Sequence, residues 1–168
     1  MTNDLYSYVK KISYDEFIKL FDSLGTGLVY IGGEWCENCM HVLDIVIEEA
    51  KKQKLECIYN YDPIFINVYG EKEDLRDCKS LEIKLKYYAI VEKSQFKSTE
   101  LVKDTLIPKI HVPFFMAIRN GCCVGYYTVE LLKENGILHL INEKVDRTDE
   151  FRNNIKDLIS KLDLNNLF

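Results

Sequence analysis

Apolar and polar positions alternate with two different periods along this chain, and the changes of period mark out its elements. Ser13-Tyr14-Asp15-Glu16 has the S-x-x-E spacing of a capping box, and Phe17, Leu20, Phe21 and Leu24 follow at helical intervals until Gly25 stops them. Leu28-Val29-Tyr30-Ile31 is a short apolar run between Gly27 and Gly32-Gly33, which suits a buried strand. From about Cys36 to Gln53 the period lengthens again: Cys39, Leu43, Val46, Ile47 and Ala50 form an inner stripe, with His41, Asp44, Glu48 and Lys52 opposite. Leu55-Glu56-Cys57-Ile58-Tyr59-Asn60-Tyr61 reads as the next strand. Strand, helix and strand at these lengths predict a parallel pair with a helical crossover.

Downstream, Phe114-Phe115-Met116-Ala117-Ile118 and Val124-Gly125-Tyr126-Tyr127-Thr128-Val129 flank Asn120-Gly121, the strongest short signal for a hairpin. A last helix is predicted from about Asp149, capped by Thr148, with Phe151, Ile155, Leu158, Ile159 and Leu162 on one face. The stretch from Asp62 to Pro108 is polar and predicted to be mostly helical. There Leu75, Cys78, Leu81, Leu85, Tyr88 and Ala89 recur at three- and four-residue intervals, and Ser98-Thr99 opens a second short helix. No repeat, low-complexity tract or linker interrupts the chain, so residues 1–168 are expected to form a single domain.

Composition narrows the function classes. Hydrophobic residues make up 47% of the chain and charged residues 29%, as in ordinary globular domains. A net charge of −5 with interspersed signs argues against a nucleic-acid surface. No signal peptide and no apolar stretch long enough for a membrane span is visible, so a cytoplasmic location and no membrane partner are expected. Six cysteines are too sparse for a disulfide-stapled scaffold. Cys57, Cys78, Cys122 and Cys123 read as plain thiols, and adjacent strand residues such as Cys122 and Cys123 point to opposite faces.

Cys36 and Cys39 are different. Trp35-Cys36-Glu37-Asn38-Cys39 is a CxxC pair between a predicted strand and a predicted helix. With the helix starting at Cys36, both sulfurs lie on one face a turn apart, close enough to join and part. Cys36 also meets the unpaired N–H groups and positive dipole end of the helix, which favour a thiolate. A free thiol titrates near 8.5, so lowering it to about 7 raises the nucleophile roughly tenfold at neutral pH. A structural zinc needs four ligands. His41 lies on the wrong side of the helix and there is no second CxxC, so neither metal nor cofactor is expected. Trp35 beside the pair can shield the sulfurs and offer an apolar contact to substrate, or simply pack.

A strand, WCxxC, a helix, a strand, then Val112-Pro113 before a hairpin and a last helix: this order resembles the thioredoxin-like superfamily. Residues 28–61 and 110–129 carry the likeness, about a third of the chain. Val29-Tyr30-Ile31-Gly32 is more narrowly similar to thioredoxin-like proteins of Gram-positive bacteria. The resemblance implies an α/β thioredoxin fold, a mixed central sheet flanked by helices. It also implies that Pro113 is a cis-proline and that the Val112 backbone binds substrate by strand-like hydrogen bonds. Glu37-Asn38 stands where thioredoxins have Gly-Pro, which puts a carboxylate beside the thiolate and frees the first helical turn. Tyr30 occupies the position of their buried acid, leaving proton transfer to water or another group, with Glu34 and Glu37 nearest in sequence. Roughly thirty additional residues, at about 63–108, form an insertion before the proline.

Two functions fit these residues. In the first, the chain is a thiol–disulfide oxidoreductase in which Cys36 attacks a protein or small-molecule disulfide and Cys39 resolves the mixed disulfide. In the second, it is a thioredoxin-like binding or accessory module whose dithiol does not cycle or is regulatory.

Overall fold

The computed structural model describes residues 6–166. A five-stranded sheet runs through its centre in the order β1-β3-β2-β6-β7. β1 (Val9–Ile12) and β2 (Gly27–Ile31) flank β3 (Ile58–Tyr61) in parallel, while β6 (Phe114–Arg119) and β7 (Cys122–Thr128) add antiparallel strands beyond β2. The predicted crossover is present: α2 (Glu37–Lys52) carries the chain from β2 to its parallel neighbour β3. The mixed sheet in this order, flanked by helices, has the arrangement of a thioredoxin fold.

Helices cover both faces, and the alternation of side chains on β6 shows which. Phe114 packs against Phe96 and Tyr126, on the side of α3 (Leu81–Ser94). Its neighbour Phe115 packs against Tyr30 and against Phe151 of α4 (Thr148–Ser160). Successive strand residues face opposite ways, so α3 and α4 lie on opposite sides of the sheet. α1 (Tyr14–Asp22) joins α3 through the Tyr14 hydroxyl, which donates to Lys86 O at 3.0 Å, and α2 packs beside α4. Ser13 and Glu16 form the expected capping box.

Several elements differ from the sequence expectation. The strand predicted from Leu55 begins at Ile58. Thr148 does not cap the last helix: Arg147 is its N-cap residue and makes no side-chain capping bond, and Asp146 accepts the Thr148 N–H at 2.9 Å. The short helix expected at Ser98-Thr99 is absent, because the Ser98 hydroxyl accepts the Glu100 N–H at 3.1 Å and closes a local turn. The interval 63–108 does contain a helix, α3, but that helix starts at Leu81, with Ser80 as its cap. Before it come a hairpin, β4 (Ile64–Ile66) and β5 (Lys72–Asp74), and a 3-10 turn, Leu75–Asp77, that ends on Cys78 in the left-handed region. A second small hairpin, β8 (Leu132–Glu134) and β9 (Ile137–His139), lies against α2. Val42, Ile45 and Glu49 are buried too, making the buried side of α2 wider than the predicted stripe.

Candidate dithiol site

Cys36 and Cys39 are joined in a disulfide with their Cα atoms 5.2 Å apart. Cys36 is the N-cap of α2: its backbone is extended, and its sulfur accepts the Cys39 N–H at 3.2 Å. That N–H is one of the orphan donors of a helix start, so the same contact would hold a Cys36 thiolate after reduction. The sulfurs differ in access. Cys36 is 7% exposed and Cys39 fully buried, so an incoming disulfide meets Cys36 first.

The turn before the pair is shaped by two glycines. A Cβ on Gly32 would stand 2.7 Å from Cys39 Sγ and 2.7 Å from a Tyr30 ring carbon. One on Gly33 would collide with the Trp35 indole and stand 2.6 Å from Asp62 Oδ2. From β3, Asn60 reaches under this turn, its Nδ2 donating to Tyr30 O and Gly32 O, each at 3.1 Å. Asn60 is a buried amide whose bonds fix where β2 lets go of the sheet.

Trp35 is 47% exposed yet anchored. Its Nε1–H donates to Asp62 Oδ1 at 3.0 Å, and the Arg76 guanidinium stands 5.8 Å from its ring centre. Arg76 is itself fixed. It pairs with both carboxylate oxygens of Asp74, the shortest bond being 2.7 Å, and donates from Nη1 to Ile110 O at 3.1 Å. Asp62 and Arg76, on either side of the β4–β5 hairpin, thus brace Trp35, and Arg76 also reaches the segment that leads to Pro113.

The Val112-Pro113 peptide is cis. Ile31 pairs with Phe114, so this peptide lies at the end of the sheet where the chain leaves β2 for the CxxC turn. Thr128 Oγ1 lies 3.1 Å from His111 O and 2.9 Å from Pro113 O, holding the carbonyls on either side of Val112. The Val112 backbone makes no hydrogen bond among the described residues.

Around the pair stand Tyr30, two glutamates and, two residues before Pro113, His111. Burial, then the charges of Asp62 and Glu34, push the Tyr30 phenol well above the ordinary tyrosine value. It therefore stays neutral and cannot take a proton as a carboxylate would. Its hydroxyl faces Gly33 O at 3.5 Å. Glu34 and Glu37 are largely exposed, lying 3.7 Å from Lys11 and 3.6 Å from His41 respectively. His111 is held between Glu100 at 2.7 Å and Glu130 at 3.1 Å. Cys57, Cys78, Cys122 and Cys123 are free thiols. Among the described residues no cluster of three or more His, Cys, Asp or Glu side chains could hold a metal ion, and no helix is long and apolar enough to cross a membrane.

Asn60, Asp62, Arg76 and Thr128 are the residues that sequence reasoning passed over. All four meet their partners at the site through chain returns of 15 to 41 residues, which no local pattern announces.

No family model matches the chain, and no curated protein does either. Among solved structures it is similar to the crystal structure of thioredoxin O2 from Arabidopsis thaliana in the oxidized state. That likeness has 13% identity and a TM-score of 0.39, over 73% of this chain and 84% of that one.

Proposed function

We propose that this chain is a thiol–disulfide oxidoreductase with Cys36 as nucleophile and Cys39 as resolving thiol. In the dithiol state the Cys36 thiolate attacks a substrate disulfide, forming a mixed disulfide and releasing one substrate thiolate. Cys39 then loses its proton and attacks Cys36 Sγ, which expels the second substrate thiolate and closes the Cys36–Cys39 bond. Two electrons and two protons pass to the substrate overall, and the reverse sequence oxidises a dithiol. Trp35, Val112 and Pro113 form the substrate-binding face in this reading, with the free Val112 N–H and C=O pairing an extended segment beside the substrate sulfur. With a neutral phenol at position 30, the Cys39 proton leaves through water.

The observation that carries the proposal is the pairing of a slightly exposed cysteine, Cys36, with a fully buried one, Cys39, at the start of α2. The cis peptide and an unpaired backbone unit lie at the same sheet end. The test is disulfide reduction by the reduced chain, followed with a small aromatic disulfide and with a protein disulfide. Cys36→Ser should abolish turnover, and Cys39→Ser should accumulate a mixed disulfide visible by mass. Equal turnover in wild type and Cys36→Ser would sink the mechanism and leave the binding-module reading.

A further inference from the structure

Arg76, which braces Trp35, also lines a cleft of about 460 Å³. Its walls are the turn at Leu75–Asp77 with the start of α3 on one side, and the 102–109 loop on the other. Lys79, Lys84, Lys103 and Lys109 line it with Arg76, against two carboxylates, Asp77 and Asp104. Lys11, Lys52, Lys86, Lys93 and Lys133 each have a carboxylate within 4.0 Å, while other lysines without an ion pair, such as Lys19, Lys97 and Lys144, stand outside this cleft. Among the described residues none of the four cleft lysines has an ion pair or a side-chain hydrogen bond. Acidic side chains outnumber basic ones in this chain, 27 to 22, so a concave group of unmatched ammonium ions runs against the composition. Lys84 and Lys109 are half-buried as well, where repulsion and lost hydration are least screened.

We propose that this cleft is an anion-binding site for a small molecule bearing a di- or triphosphate. Donor chemistry selects the class. The only fork-shaped donor, Arg76, is committed to Asp74 and Ile110 O, which leaves no planar guanidinium for a carboxylate. The free donors are compact ammonium charges, which suit the dense and rotationally tolerant charge of phosphoryl oxygens. The volume lies in the range of small-ligand sites and exceeds what one phosphate needs. Lysines converging on a concave wall focus the field on such an anion despite the negative net charge. Lys84 is already felt at the cleft wall, where it opposes the burial that pushes the Cys78 thiol up.

Calorimetric titration of the full chain at low salt, with sodium tripolyphosphate and separately with ATP, tests this. Both should bind with one-site stoichiometry, and affinity should fall as salt rises. Equal affinities would identify the phosphate chain as the whole ligand, and tighter ATP binding would add a nucleoside to it. Lys79→Glu with Lys103→Glu reverses two exposed cleft charges and should weaken binding at least about tenfold. The half-buried pair, Lys84→Gln with Lys109→Gln, should act in the same direction. Lys144→Glu with Lys156→Glu, an equal charge change outside the cleft, should leave affinity within about twofold. No binding of either probe at millimolar concentration would overturn the proposal, as would equal weakening by the cleft and control pairs.

Discussion

Replacing Arg76 by Met removes its charge while keeping most of its length. Arg76 and Asp74 side chains are each 16% exposed, so the pair is mostly desolvated. Stripping one partner from a fully buried pair costs roughly 3–5 kcal/mol, and the residual exposure here brings that to about 2–3 kcal/mol. The lost bond to Ile110 O adds about 1 kcal/mol, for a total near 3–4 kcal/mol. In a domain of this size that lowers Tm by roughly 10 °C. The informative experiment is a double-mutant cycle of Arg76→Met, Asp74→Asn and both together, measured by urea unfolding of the oxidised protein. A coupling energy of about 2 kcal/mol is expected. Trp35, the only tryptophan, supplies a second readout: its emission should shift to the red when Arg76 is lost, since one brace of the indole goes with it. Coupling below about 0.5 kcal/mol with unchanged emission would refute the reasoning, because the pair would then behave as a surface ion pair.

Two further outcomes follow from buried polar groups. Asn60→Leu leaves two backbone carbonyls without their amide partner and should destabilise by about 1–3 kcal/mol, seen as a lower urea midpoint; an unchanged midpoint would mean those bonds contribute nothing. Burial holds the phenols of Tyr30, Tyr61 and Tyr87 above the ordinary value of 10.0. The folded state therefore keeps protons that the unfolded chain releases, so this contribution is complete below pH 10 and lost above it. With all three tyrosines the slope steepens towards about −4 kcal/mol per pH unit above pH 11, and flat urea midpoints between pH 9 and 11 would contradict it.

Legibility in the sequence followed the length of the physical signal. The β2-α2-β3 unit and the Asn120-Gly121 hairpin announce themselves because burial imposes a period over many residues, and Asn120 and Gly121 both take the positive φ that such a turn requires. The ribbons β4-β5 and β8-β9 have three-residue strands, too short to show alternation. Leu75 and Cys78 fell into step with a helix whose real start is Leu81, since spacing cannot sense the left-handed residue at Cys78 that separates them. At the site, the Cys36–Cys39 pair was readable from local order, and the cis Val112-Pro113 peptide from what the resemblance implied. Asp62 and Arg76 were not, because their roles arise when a hairpin folds back on the indole.

The antiparallel strand β6 has a consequence for thiol traffic within the molecule. One end, Phe114, pairs with Ile31 beside the CxxC turn, while the other, Arg119, pairs with Cys122. Five residue steps at about 3.4 Å each put roughly 17 Å of strand between the two ends. A disulfide tolerates no more than about 7 Å between Cα atoms. An adduct captured at exposed Cys122 therefore cannot be handed to Cys36 in the same folded molecule. The sheet acts as an insulator, confining exchange at the far hairpin to encounters between molecules and leaving the Cys36–Cys39 pair to its own partners.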